Sequence, residues 1–280
     1  MTEKKITGRA NVRDGASLQY TVHGDPNSAL PRLALVHTLG LGEFVWDGVV
    51  EPLAHQAPAR AVILTYDCRG HGKSDIPGAP YNIETFGHDL EDLLEHVGWA
   101  SAQTKIHVAG ASMGGCVAQQ LAITRPELVG TLGLIDTTAW FGATAPEAWE
   151  GRAKQAEEKG MASLADFQRA RWFSDEYQAQ QPGVVARTIN ALIAADVAGF
   201  AATCRMLGTV DLRPQLAALR VPTAVIIGEQ DLATPLDMSR DLQTRISGAT
   251  LEIIPRAKHL SFIECADAAA AALGMLIERG

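Results

Sequence analysis

The sequence is poor in cysteine, in positive charge and in long apolar runs, and each shortage argues against a class of protein. Its 280 residues include four cysteines and no C-x-x-C pair, so neither a zinc site nor a disulfide framework is indicated. The net charge of −8 disfavours a nucleic-acid partner, which would need a basic face. No apolar run reaches the roughly 20 residues that span a bilayer, and the first residues form no apolar signal segment. We therefore expect a cytoplasmic protein with no membrane partner.

Short apolar runs are what the chain has instead. Hydrophobic residues make up 47% and charged residues 20%, which suits a chain with a sizeable core and argues against disorder. Seven apolar runs predict strands, over residues 18–22, 33–37, 61–66, 106–109, 129–135, 223–227 and 250–254. Helices are predicted over residues 83–97, 236–246 and 261–278. Strands that alternate with helices predict an α/β fold with a mostly parallel, doubly wound sheet.

One region interrupts this alternation. Residues 137–207 show helical periodicity and several aromatic residues but no convincing strand pattern. We interpret them as a helical cap, or lid, inserted into a core formed by residues 1–136 and 208–280. The alternative is a set of ordinary surface helices.

A serine between glycines follows the strand predicted over residues 106–109. The stretch is Gly110-Ala111-Ser112-Met113-Gly114, and the residues after it suit a helix. Strand, G-x-S-x-G and helix form the context of a nucleophile elbow, whose tight turn lifts the serine hydroxyl above the sheet. The alternative is a glycine-rich turn that only lets the helix pack closely on the strand.

A serine is a poor nucleophile unless a base takes its proton. Because ligand sites lie at the carboxyl ends of parallel strands, its partners should follow two later strands. Asp231 follows the strand predicted over residues 223–227, and His259 follows the one over residues 250–254. We predict that Ser112 attacks a carbonyl carbon, that His259 acts as base and then as acid, and that Asp231 orients the imidazole.

These assignments have alternatives. Glu229, earlier in the same turn as Asp231, and Asp136, at the end of another predicted strand, are rival acids. Asp231 also suits a helix N-cap, and His259 also suits a surface loop.

A tetrahedral oxyanion needs two preorganised N–H donors. The amide of Met113 directly follows the nucleophile, and the amide of Leu39 lies in the glycine-containing loop after the strand over residues 33–37. We predict these two donors, while a flexible turn is the alternative for the loop.

The chain has no phosphate loop, dinucleotide fingerprint, H-E-x-x-H motif or Cys/His cluster, so we expect no cofactor and no metal.

Taken together, four motifs resemble those of the α/β-hydrolase superfamily, over nearly the whole chain. They are D-x-R-G-x-G-x-S at Asp67–Ser74, G-x-S-M-G-G at Gly110–Gly115, G-x-x-D-x-x-T-P at Gly228–Pro235 and the late His259. Within the superfamily the chain is similar to 3-oxoadipate enol-lactonases, also in its cap. The resemblance implies an α/β-hydrolase fold and a cofactor-free enzyme of aromatic catabolism, which opens a small lactone or cleaves a small ester through an acyl-enzyme.

Two stretches depart from the enol-lactonase pattern. Members usually carry Asn-Ser-Leu-Gly where this chain has His37-Thr38-Leu39-Gly40. They also carry an arginine early in the cap, suited to a substrate carboxylate, where this chain has Trp140. A more apolar lactone or ester is therefore an alternative substrate, unless Arg152 or Arg171 supplies the charge. The residues that we assign to substrate binding are Trp140, Arg152 and Trp172.

Three further functions stay open at this stage. The same fold supports hydrolysis of C–C bonds and perhydrolysis, and a ligand receptor can retain the triad with slow turnover. The expected partner is a small lactone or ester, bound by a monomer or a small homo-oligomer.

Overall fold

The computed structural model describes residues 4–55, 60–100 and 105–280, so the first three residues of the predicted core lie outside it. The strands are β1 (Lys5–Asn11), β2 (Ser17–His23), β3 (Arg32–Val36), β4 (Val62–Tyr66), β5 (Ile106–Ala111), β6 (Val129–Ile135), β7 (Thr223–Gly228) and β8 (Thr250–Ile254). They form one sheet in the order β1-β2-β4-β3-β5-β6-β7-β8. Only the pairs β1–β2 and β2–β4 of this sheet are antiparallel. The prediction of a mostly parallel sheet is confirmed.

Helices connect and cover these strands. They are α1 (Asp47–His55), α2 (Ile83–His96), α3 (Met113–Thr124), α4 (Ala145–Lys159), α5 (Ala165–Trp172), α6 (Asp175–Gln180), α7 (Pro182–Ile193), α8 (Val197–Thr209), α9 (Arg213–Leu216), α10 (Leu236–Arg245), α11 (Ser261–Glu264) and α12 (Ala266–Ile277). Every residue of β4, β5, β6 and β7 is buried. This burial explains their continuous apolar sequences, because both faces of a parallel strand are covered.

Two elements differ from the prediction. Strand β1 lies at the edge of the sheet with mostly exposed residues, so no apolar run marks it. The single helix predicted over residues 261–278 is wrong, because the backbone leaves helical geometry at Cys265 (φ −132°, ψ 56°). The break separates α11 from α12.

The motif Asp67–Ser74 is a structural turn beside the site. The Asp67 carboxylate accepts hydrogen bonds from the amides of Glu43 and Lys73, each at 2.8 Å. Arg69 donates two hydrogen bonds to the buried Asp89 carboxylate, at 2.6 and 2.5 Å. A paired and hydrogen-bonded buried charge of this kind is costly to disrupt, so these contacts stabilise the turn.

Helices α4 to α8 all lie between β6 and β7 in the chain. We keep the name cap for residues 137–207 as an interpretation, and note that α8 ends at Thr209 rather than at residue 207.

No single helix of the described residues is both long and apolar enough to cross a bilayer. Helices α7 and α8 pass that test only as a pair, bent by 92°.

Candidate active site

Ser112 lies between β5 and α3 in a strained backbone conformation (φ 53°, ψ −115°). A positive φ is costly for a non-glycine residue and persists only where the surroundings enforce it. A Cβ on Gly110 would lie 2.0 Å from the Gly114 carbonyl oxygen, and a Cβ on Gly114 would lie 2.1 Å from the Val36 carbonyl oxygen. The turn therefore requires both glycines of the G-x-S-x-G motif.

The fold brings Ser112, His259 and Asp231 together from the ends of β5, β8 and β7. The Ser112 Oγ lies 3.1 Å from His259 Nε2, and His259 Nδ1 lies 2.8 Å from Asp231 Oδ2. The relative exposures of Ser112, His259 and Asp231 are 8%, 4% and 4%, so water competes little for these contacts. With the carboxylate accepting from Nδ1–H, Nε2 of a neutral imidazole presents its lone pair to the serine hydroxyl.

The Asp231 carboxylate is held by its own turn as well as by the histidine. Its Oδ1 accepts from the amides of Ala233 (2.6 Å) and Thr234 (3.0 Å), and its Oδ2 accepts from the Thr234 hydroxyl (2.8 Å). Burial raises the pKa of Asp231, but the charge and hydrogen bond of His259 and the bonds from Thr234 outweigh it and lower the pKa overall. This carboxylate is thus set up to remain ionised.

The two rival acids have other partners. The Glu229 carboxylate accepts from the amide of Arg256 at 2.9 Å. The buried Asp136 accepts from the amide of Gly228 (2.9 Å) and from the amide (3.0 Å) and hydroxyl (2.7 Å) of Ser261. Burial, and then a neighbouring carboxylate, raise the pKa of Asp136 well above its usual value. Neither rival hydrogen-bonds the imidazole.

The two predicted oxyanion donors belong to residues in the neighbourhood of Ser112, one along the chain and one across the cavity. Met113 is the first residue of α3, where a backbone N–H has no partner within the helix. Leu39 lines the same cavity as Ser112. Gly40 follows it at φ 74°, where a Cβ would lie 2.8 Å from the Leu192 side chain. Close packing against the cap thus explains one glycine of the loop.

A cavity of about 250 Å³ covers Ser112 and His259. Its lining comprises Thr38, Leu39, Ser112, Phe141, Ala145, Ala148, Trp149, Arg152, Gln168, Arg171, Trp172, Ala233, Thr234, Met238 and His259. Of the predicted substrate-binding residues, Arg152 and Trp172 line this cavity. The volume is slightly below the range of about 300–1,000 Å³ for small-molecule pockets, which suits a compact ligand.

Trp140 is not among the lining residues, which corrects its predicted role. Its ring packs on the Arg213 guanidinium, 3.6 Å from ring centroid to Cζ, and its backbone forms an isolated bridge with Asp211. These contacts hold the indole away from the cavity, and Phe141 lines the wall instead. The presence of Trp140 where enol-lactonases carry an arginine therefore does not by itself make this cavity apolar.

The cavity contains two arginines that have no carboxylate counterion among the described residues. The Arg152 guanidinium lies over the Trp149 ring (4.5 Å) and near the Phe167 ring (5.4 Å), and Arg171 lies over Phe167 (5.0 Å). Burial lowers the pKa of both guanidinium groups. Both arginines are half-buried and neither forms an ion pair with a described carboxylate, although the charge of Asp231 acts on Arg171. This wall is therefore suited to an anionic group of a ligand.

Sequence reasoning did not assign Phe141, Gln168, Thr234 and Met238 to the cavity. Thr234 belongs to the G-x-x-D-x-x-T-P motif, which was the available signal for it. The others lie on helices or loops whose packing alone decides their direction. Within the described ranges, no three His, Cys, Asp or Glu side chains are grouped so that they could hold a metal ion.

Known proteins share the fold of this chain. The model of the alpha/beta hydrolase fold family matches residues 31–266. The chain therefore belongs to the alpha/beta hydrolase fold family.

Named relatives narrow the likeness. The chain is 32% identical to 3-oxoadipate enol-lactonase 2 of Acinetobacter baylyi, over 89% of this chain and 88% of that protein. The crystal structure of the enol-lactonase from Burkholderia xenovorans LB400 superposes with a TM-score of 0.90 at 32% identity, covering 97% of this chain and 100% of that one. A pimeloyl-[acyl-carrier protein] methyl ester esterase of Aliivibrio salmonicida is 25% identical over 90% of this chain and 92% of its own.

Proposed function

We propose that this protein hydrolyses a small lactone or carboxylic ester, with Ser112 as nucleophile. The observation that carries the proposal is the buried chain of contacts from Ser112 Oγ to His259 Nε2 (3.1 Å) and from His259 Nδ1 to Asp231 (2.8 Å), at the base of the cavity. The relatives that are named lactonases and esterases support the same reaction class.

The proposed mechanism gives each of these groups one role. His259 takes the hydroxyl proton as Ser112 attacks the carbonyl carbon, and the amides of Met113 and Leu39 donate to the resulting oxyanion. Asp231 stabilises the imidazolium, which then protonates the leaving oxygen. In a lactone that oxygen stays attached to the acyl group. Water, activated by His259, releases the acyl group and restores the serine. These steps need no cofactor.

We further propose that the substrate carries a carboxylate, as an enol-lactone of a keto-acid does. Arg152 and Arg171 line the cavity without a counterion among the described residues, and a bound carboxylate would supply one. This favours an anionic lactone over the uncharged alternatives, and with it a role in aromatic catabolism. The cytoplasmic location stays a prediction.

The test is hydrolysis of a matched panel in a pH-stat. The panel pairs 3-oxoadipate enol-lactone with uncharged γ- and δ-lactones and short acyl esters, and Ser112→Ala is the control. We expect turnover by the natural chain, preference for the anionic lactone, and no turnover by the folded Ser112→Ala variant. Undiminished turnover by that variant would refute the mechanism. Tight binding with negligible turnover would support a ligand receptor instead.

A further inference from the structure

Helix α5 of the cap ends directly on the loop that carries His259. The amide of His259 donates to the Arg171 carbonyl (3.4 Å), and the amide of Leu260 donates to the Trp172 carbonyl (3.1 Å). The last carbonyls of a helix have no partner within it, so these bonds complete the helix end. The segment that presents Arg171 to the cavity is thus bonded to the backbone of the proposed base.

The carboxylate of Glu264 accepts hydrogen bonds from both segments that meet at this contact. Glu264 Oε1 accepts from the amide of Lys258, at 2.7 Å. Glu264 Oε2 accepts from the amide of Ser174 at 3.0 Å and also from the Ser174 hydroxyl. Lys258 directly precedes His259, and Ser174 lies two residues after the end of α5. Glu264 is half-buried, so water competes only in part for these bonds.

Two further side-chain hydrogen bonds connect the cap with the loop that carries His259. Lys258 Nζ donates to the carbonyl of Ala170 in α5 at 2.8 Å, and the Tyr177 hydroxyl donates to the carbonyl of Ile263 at 3.2 Å. Both connect the α5–α6 part of the cap with the chain around His259. Neither these residues nor Glu264 line the cavity, so ligand binding alone does not explain the contacts.

We infer that Glu264 is a positioning residue, which holds the cap wall with Arg171 and the loop with His259 as one unit. The inference rests on the proposed function. A displacement of about 1 Å at a reacting group costs on the order of 100-fold in rate. Glu264 acts through His259, since it contacts neither the cavity nor Ser112. A substrate carboxylate bound at Arg171 would then affect the position of His259.

The decisive comparison is Glu264→Gln against Glu176→Gln. The substituted side chain has a single carbonyl oxygen and cannot accept from Lys258 on one side and Ser174 on the other. Glu176 is exposed on α6, where it pairs with Arg256 at 3.4 Å and accepts from Gln180 at 3.1 Å. We expect Glu264→Gln to lower kcat about tenfold or more, to change KM less, and to shift the pH profile of kcat. Glu176→Gln should match the natural chain. A Glu264→Gln variant that melts earlier but keeps kcat within twofold would overturn the inference.

A double-mutant cycle tests the coupling itself. If Glu264 joins Arg171 to His259, the effects of Arg171→Lys and Glu264→Gln on turnover of the anionic lactone are not additive. We expect a coupling of at least about threefold, and additive effects would refute it. Should Glu264→Gln fail to fold, Ser174→Ala serves in its place, and it removes the hydroxyl contact with Glu264 together with the N-cap bond from the Tyr177 amide (3.2 Å).

A fluorophosphonate separates this inference from the proposed function. Ser112 Oγ forms a bond to phosphorus, fluoride leaves, and His259 receives the hydroxyl proton, so labelling needs positioned groups but no particular substrate. Rapid labelling of the natural chain with slow labelling of Glu264→Gln supports the inference even if the lactone panel fails. Equal labelling rates overturn it while leaving Ser112 as the nucleophile. A natural chain that neither labels nor turns over refutes both proposals.

Discussion

At the scale of the residue, Asp231, Glu229 and Asp136 are all carboxylic acids, and what distinguishes Asp231 is its contact with His259. All three predicted acids follow strand ends, yet only Asp231 hydrogen-bonds His259. Asp231→Asn would place an amide N–H₂ opposite Nδ1–H or force the wrong tautomer. We expect kcat to fall about 10⁴-fold with little change in KM. Steady-state kinetics on the preferred lactone measure the loss, with Glu229→Gln as control. A loss below tenfold would point to Asp136 as the acid.

The unpaired arginines of the cavity give a second prediction at this scale. Arg152→Ala removes a cation that no carboxylate of the described residues neutralises. A hydrogen bond to a charged group contributes about 1.5–3 kcal/mol, so we expect kcat/KM for a carboxylated lactone to fall about 10- to 100-fold. The loss for an uncharged ester should be much smaller. Arg169→Ala, on an exposed face of α5, is the matched control. Equal losses for both substrates would argue against carboxylate binding.

At the scale of the element, the turn between β5 and α3 depends on the absence of a side chain. Gly114→Ala would place a Cβ 2.1 Å from the Val36 carbonyl oxygen, which the backbone of the sheet cannot avoid. We expect the free energy of unfolding to fall by about 3 kcal/mol. Gly151→Ala is the control, since nothing lies within 4 Å of its Cβ and it lies inside α4. Urea denaturation should show that variant to be unchanged or slightly more stable. Equal stability of the two variants would contradict the steric argument.

The elements also show what sequence can predict. The buried strands were predictable because both faces demand apolar side chains, and the glycines around Ser112 because the turn excludes a Cβ. Strand β1 was not, since an exposed edge strand needs no apolar pattern. The break at Cys265 was not either, because the apolar periodicity continues across it. Trp140 was misplaced because a ring can reach either side of its backbone, and only tertiary contact with Arg213 decides which.

At the scale of the whole molecule, topology is what turns scattered motifs into a site. Ser112, Asp231 and His259 lie up to 147 positions apart in the chain, and they meet because parallel strands end at one edge of the sheet. That rule predicted the three residues from sequence. The rule did not predict the hydrogen bonds between α5 and the His259 loop, since the packing of the cap follows no such rule. Glu264 shows the consequence, because its three donors come from segments that no local pattern connects.

Buried histidines make the stability of the whole molecule depend on pH. Burial, and then His37, lower the pKa of His71 to about 3, and burial lowers the pKa values of His37 and His23 to about 4. The unfolded chain binds a proton at each with a pKa near 6.5, so it holds more protons than the folded chain below that pH. The stability from these neutral histidines is therefore complete above about pH 6.5 and is lost as the pH falls towards 4. Asp136 acts in the opposite sense, because its raised pKa lets the folded chain keep a proton that the unfolded chain releases.

A comparison of the natural chain with the His71→Gln variant isolates the contribution of this one histidine to the pH dependence of stability. His71→Gln keeps a donor for the Arg69 carbonyl, which His71 Nδ1 contacts at 2.9 Å, but no longer titrates. Any packing loss applies at every pH and cancels in the difference. Between pH 7 and pH 5 we expect the natural chain to lose about 2 kcal/mol more unfolding free energy than the variant. Urea denaturation at both pH values measures this, with the exposed His96→Gln as control. Parallel losses in all three chains would mean that His71 takes up its proton in the folded state, and that the core around His37 admits charge.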